Sequence, residues 1–152
     1  MLVRELMNAE VVAVDPHCSL RQALETMEVR RIHHLLVENR ASLLGVITHR
    51  DIRATLPPWL SAAEAAERRQ LLDTVPVSAL CVVRPLTIAP DVDARQAALL
   101  MRQRHIGCLP GVEQGHVVGI ITEADFLDAF IRFSGGEAIP GHAPTGPMPR
   151  VP

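Results

Sequence analysis

Four aliphatic positions, Val11-Val12-Ala13-Val14, run together and stop at Asp15-Pro16, which predicts a strand ending in a turn. Leu20, Ala23, Leu24 and Met27 then recur at i, i+3, i+4 and i+7, one apolar helix face, with Ser19 placed to cap its first turn. Residues 32–37 read as extended again. Glu38-Asn39-Arg40 supplies a polar turn, and residues 43–47 predict the returning strand. Thr48 caps a further helix that opens His49-Arg50-Asp51-Ile52. The order over residues 1–56 is strand, helix, strand, strand, helix.

The same order returns over residues 77–133. Leu86-Thr87-Ile88 is the first strand, Pro90 sits in the turn, and Asp93 caps a helix carrying Ala97, Leu100, Met101 and Arg104. Two strands follow, from Cys108-Leu109-Pro110 and from residues 116–121, around a turn at Glu113-Gln114-Gly115. Thr122 opens a last helix whose apolar side shows Phe126, Leu127, Phe130 and Ile131. The two units align without a gap at an offset of 74 positions: Gly45-Val46-Ile47-Thr48-His49-Arg50-Asp51 answers Gly119-Ile120-Ile121-Thr122-Glu123-Ala124-Asp125. Pro16 with Pro90, Arg21-Gln22-Ala23 with Arg95-Gln96-Ala97, and Met27 with Met101 extend the match. Such self-similarity predicts one supersecondary unit used twice, with two equivalent clefts. Between the units, Pro57-Pro58 and Pro76 bracket a linker, 57–76, whose Ala, Glu and Arg content over 61–72 predicts a helix. Residues 134–152, rich in Gly and Pro, predict a disordered tail.

Composition narrows the function. A chain of 152 residues with 48% apolar content holds one good core or two small ones. No apolar run nears the roughly 20 residues that cross a bilayer, and the N-terminus has no signal-peptide pattern, so no membrane partner and a cytoplasmic setting are expected. The net charge of −2 and 3% aromatic content argue against a nucleic-acid surface. Cys18, Cys81 and Cys108, an odd set without a Cys-x-x-Cys pair, read as reduced thiols. His33, His34 and His49 beside Cys18 raise a metal reading, but adjacent strand residues point to opposite faces and a shared site is not expected. Neither a Gly-x-x-x-x-Gly-Lys loop nor a positioned nucleophile–base pair is present, so no catalytic residue and no required cofactor are expected.

The β-α-β-β-α unit closing in Gly-h-h-Thr-x-x-Asp resembles a cystathionine-β-synthase-type (CBS) domain, and two in tandem resemble a CBS pair, or Bateman module. The resemblance covers about residues 1–133. It implies an α/β (α+β) fold, with two repeats packed about a pseudo-two-fold axis. It also implies two clefts for adenosine-containing ligands such as AMP, ADP, ATP or S-adenosylmethionine, further assembly into a homodimer, and a sensor role toward an effector protein rather than catalysis. The base slot would lie between the first strand (Val14; Ile88) and the segment after the first helix (His33 and Leu35; Gly107, Leu109 and Pro110).

The residues give an independent reason at the Thr-x-x-Asp segments. Thr48 with Asp51, and Thr122 with Asp125, fall in the first turn of a helix, where unpaired N–H groups and the dipole favour anions. An Asp there can accept two hydrogen bonds from a ribose diol, and the Thr hydroxyl can bond a sugar oxygen or a phosphate. A capping box has the same spacing, and one residue can serve both ends. Arg50, replaced by Ala124 in the second unit, suits a phosphate. The first cleft is thus expected to prefer a phosphorylated ligand and the second to tolerate a neutral one. His33 could hold a base or fill the slot. If both clefts are closed by their own side chains, the pair is instead a structural or protein-interaction module.

Overall fold

The computed structural model describes residues 1–135; the predicted disordered tail lies, from residue 136 onward, outside them. In chain order the elements are α1 (Val3–Leu6), β1 (Ala13–Val14), α2 (Leu20–Arg30), β2 (His34–Asn39), β3 (Ser42–Thr48) and α3 (His49–Thr55). The linker helix α4 (Ala62–Thr74) and a 3-10 turn (Val77–Ala79) lead into β4 (Val82–Val83), α5 (Ala94–Arg104), β5 (Cys108–Glu113), β6 (His116–Thr122) and α6 (Glu123–Phe133). The mixed α+β class and the tandem repeats match expectation. No helix among the described residues is long and apolar enough to cross a membrane.

Each repeat is built on a hairpin, β2–β3 or β5–β6, closed by a two-residue turn. Arg40 and Ala41 hold φ of 49° and 62°, and Gln114 and Gly115 hold 51° and 82°, the positive pair that matches the strands' twist. Both hairpins carry a bulge at the same place, between Val37 and Glu38 and between Gly111 and Val112. Helices α2 and α5 end alike, on left-handed Arg31 and His105. The first strands are shorter than the apolar runs suggest. Only Ala13 and Val14 pair with β2, and in the second repeat Ile88 alone bridges to Gly111.

The pairing shows an exchange between repeats. The β4 residues Val82 and Val83 pair with Val46 and Gly45 of the first hairpin, while Asn8 bridges to Ile120 of the second. Pro76 bridges to Ser19, and Leu2 bridges to Asp93. Each lead-in segment therefore crosses to the hairpin of the other repeat, at equivalent registers. The cores follow space rather than sequence. Val77 joins Leu20, Ala23, Met27, Leu35, Val37, Ile47 and Ile52, whereas Val3 joins Ile88, Ala97, Met101, Leu109 and Ile121. A third cluster, Leu36, Val46 and Cys108 with Val11, Val117 and Ile120 around it, lies between the hairpins and joins the repeats.

Two glycines make the crossing possible. A Cβ on Gly45 would stand 2.8 Å from the Val82 carbonyl oxygen, and one on Gly119 would stand 2.5 Å from Met7 Sδ and 3.1 Å from the Asn8 carbonyl oxygen. The linker helix α4 is capped by Ser61 and packs on α2, with Leu72 in the first core and an Arg21–Asp73 ion pair at its end. The predicted apolar side of α6 divides. Phe126 is half-buried against the second core and Ala129 is buried, but Leu127, Phe130, Ile131 and Phe133 are 60–71% exposed.

Candidate functional site

The two Thr-x-x-Asp segments sit where β3 meets α3 and where β6 meets α6. Extended backbone at Thr48 (φ −112°, ψ 156°) and Thr122 (φ −124°, ψ 167°) brings each threonine back over the following turn. In the first corner Asp51 Oδ2 accepts the Thr48 N–H at 3.0 Å and the Thr48 hydroxyl at 2.7 Å, while Thr48 Oγ1 accepts the Asp51 N–H at 3.1 Å. In the second, Asp125 Oδ2 accepts the Thr122 N–H at 2.7 Å and the Thr122 hydroxyl at 2.8 Å. The aspartate's half of the cap is therefore present in both corners, and the threonine oxygen completes it in the first. It uses one carboxylate oxygen and the threonine's only hydroxyl proton. A ligand phosphate would find no free donor on either threonine in this arrangement, but a sugar hydroxyl would find an acceptor. Among the described residues, Oδ1 of Asp51 and of Asp125 accepts no hydrogen bond.

Backbone bonds tie each corner to the segment entering the hairpin. The His49 N–H donates to the His33 carbonyl at 2.9 Å, and the Glu123 N–H to the Gly107 carbonyl at 3.1 Å. Thr48, Asp51 and His33 are thereby brought together, as are Thr122, Asp125 and Gly107. The His33 and His49 rings stack loosely, with centroids 5.6 Å apart. Arg50 is exposed, and no described residue pairs with it. The predicted base-slot residues are deeper. Leu35 and Leu109 are 1% and 0% exposed, Pro110 is buried, Ile88 is nearly so and Val14 is half-buried. At Leu35, Leu109 and Pro110 only the backbone can face a ligand without a rearrangement.

Carboxylates of both corners act on one imidazole, that of His34. Burial holds His34 below the ordinary histidine range and nearby His33 adds to this, while Glu123, Asp51 and Asp125 pull the other way. Its counterpart in the second hairpin, Cys108, is pushed up to about 12 by burial and by Asp51 and Glu123. His34 Nε2 would stand 3.3 Å from a Cβ on Gly107, and Glu123 Oε2 3.7 Å from the same point. Among the described residues no group of three or more His, Cys, Asp or Glu side chains could hold a metal ion.

Two open hollows of ligand size flank the second repeat. One, about 460 Å³, is an apolar groove between α5 and α6 that includes Ala94, Ala98, Phe126 and Phe130. The other, about 450 Å³, is lined by Asp125 with Leu6, Asn8, Asp128, Ile131 and Arg132. Asn8, Asp128 and Arg132 did not figure among the sequence candidates. The spacing 125, 128, 132 on one helix face carried the signal for the last two. Asn8 reaches the site only through the exchange of lead-in segments.

The CBS domain family model matches residues 3–57 and 77–132. A CBS domain-containing protein of Dictyostelium discoideum is 33% identical over 135 residues, covering 87% of this chain and 92% of its own length. Among solved structures, a Vibrio cholerae protein named for acetoin utilisation superposes with a TM-score of 0.73 at 26% identity, covering 89% of this chain and 95% of the other. The CBS domain pair of protein MJ0100, solved with 5-methylthioadenosine and S-adenosyl-L-methionine, superposes with a TM-score of 0.69 at 22% identity, covering 86% and 95%. The chain belongs to the CBS domain family, as a tandem pair of CBS domains.

Proposed function

We propose that the chain is a sensor that binds an adenosine-type ligand reversibly and performs no chemistry on it. The observation that carries this reading is the duplicated corner. At equivalent junctions an aspartate keeps one oxygen for its threonine and leaves the other without a partner among the described residues. A vicinal diol supplies two donors for such an oxygen and for the threonine's remaining lone pair. The adenosyl ligands held by the MJ0100 pair support the class of ligand. Regulation then follows from a difference in affinity between two arrangements of the repeats, which a ligand near their interface is placed to bias.

One observation favours a second reading, an interaction module. Leu127, Phe130, Ile131 and Phe133 expose an apolar face on α6 that suits a second copy of this chain or an effector protein. Both roles fit a homodimeric sensor. A thermal-shift panel of adenosine, AMP, ADP, ATP, S-adenosylmethionine and NAD separates them. At a hundredfold excess over Kd, a bound ligand stabilises by about 2.7 kcal/mol. Stabilisation by an adenosyl member, lost in Asp125→Ala or Asp51→Ala, supports the sensor; no shift with any of them leaves the interaction module.

A further inference from the structure

The hollow at the second corner differs in charge from the first corner, and this bears on which adenosyl ligand it takes. Along α6 the hollow meets Asp125, Asp128, Ile131 and Arg132, with Leu6 and Asn8 opposite. Asp128 and Arg132 stand four positions apart, close enough to pair across one helical turn, yet no ion pair joins them. Neither has a partner among the described residues. A carboxylate and a guanidinium thus stand side by side on the hollow's wall. Glu123, at the first position of the helix, adds another negative charge near the corner, where the first repeat has His49. The neighbours of the first corner lean the other way. Arg50 and Arg53 of α3 have Ala124 and Leu127 as counterparts.

Resting on the adenosine-sensor reading above, we infer that this hollow selects a nucleoside bearing an amino-acid group over a nucleoside phosphate. Arg132 receives the ligand's carboxylate and Asp128 its ammonium, while Asp125 Oδ1 receives the ribose. The apolar side chains of Leu6 and Ile131 cover the aliphatic linker. A phosphate group would meet two carboxylates for one guanidinium, with no free threonine proton to offset the repulsion. An α-amino acid presents one charge of each sign, and the hollow's lining offers one partner for each. Asn8 belongs to the N-terminal lead-in, so occupancy of this hollow also holds that segment against the second repeat.

Titration calorimetry of the full chain with S-adenosyl-L-methionine, adenosine, AMP and ATP, each at the same ionic strength, tests the inference. S-adenosyl-L-methionine should bind at least tenfold more tightly than AMP or ATP at the site that Asp125→Ala removes. Arg132→Ala and Asp128→Asn should each cost that ligand at least fivefold while leaving adenosine within twofold. Both residues are exposed, and an unchanged melting temperature in each variant shows that the fold is intact. Tighter, Asp125-dependent binding of AMP or ATP overturns the charge selection but keeps the sensor reading. Equal losses for all four ligands in the Arg132 and Asp128 variants also overturn it. Failure of every ligand to bind, or binding indifferent to Asp125, overturns both.

Discussion

Val3→Ala probes the exchanged architecture at its most exposed point in sequence. Val3 lies near the chain's start, where frayed residues are the rule, yet it is 0% exposed and packs with Ile88, Ala97, Met101, Leu109 and Ile121. Its N–H donates to the Val92 carbonyl at 2.9 Å and its carbonyl accepts from Met7 at 2.8 Å, so the backbone stays fixed when the side chain is cut back. Removing two buried carbons forfeits about 1.6 kcal/mol of transfer free energy, at about 0.8 per methylene. The unfilled space raises the loss to about 2–2.5 kcal/mol. For a chain of this size that lowers the melting temperature by about 6–8 °C. Urea unfolding followed by circular dichroism measures it, with Val77→Ala, the counterpart in the first core, as the reference of equal size. Methyl NMR adds the location: Leu109 and Ile121 should shift, and Leu35 and Ile47 should not. A Val3→Ala loss below about 0.5 kcal/mol, the range of ordinary surface changes, refutes the packing of the N-terminal segment on the second repeat.

Gly45→Ala should destabilise by about 1–3 kcal/mol in the same unfolding assay, because its Cβ meets the Val82 carbonyl at 2.8 Å and a backbone group cannot step aside. Ala41→Gly should stabilise by up to about 1 kcal/mol, since Ala41 holds a φ of 62° that glycine adopts freely. Thr48→Ala should cost about 1 kcal/mol through the lost cap. His34 is held below its ordinary value, so the unfolded chain binds more protons as pH falls through the unfolded pKa. Its contribution is complete above that value, and stability declines with acid below it; His34→Gln should flatten that part of a melting temperature–pH profile. Cys108, pushed up to about 12, should resist a thiol reagent at pH 8 until the chain unfolds, which a timed mass measurement reads.

The repeat, the hairpins, the caps and both Thr–Asp corners were legible because each depends on local pattern: alternation, helical spacing and a cap at a strand end. The exchange was not, since a translational repeat in sequence does not tell which hairpin its first segment joins; the bridge from Asn8 to Ile120 and the pairing of Val82 and Val83 with β3 reveal it. Leu86-Thr87-Ile88 looks like a strand by composition, but its partner strand offers it a single bridge at Gly111. The aliphatic base-slot candidates Leu35 and Leu109 turn into the cores, which alternation from exposed His33 and half-buried His34 does not by itself decide. Asp128 and Arg132 fall outside the repeated motif, and their helical spacing from Asp125 gains meaning from the hollow beside them. The apolar side of α6 was legible as a stripe, but composition cannot say whether a helix has anything to cover it.

A crystal of the chain soaked with adenosine tests the central claim most directly. The ribose hydroxyls should lie within about 2.6–3.0 Å of Asp125 Oδ1, with the Thr122–Asp125 hydrogen bonds still in place. A nucleoside seated elsewhere, with that oxygen facing only solvent, contradicts the account.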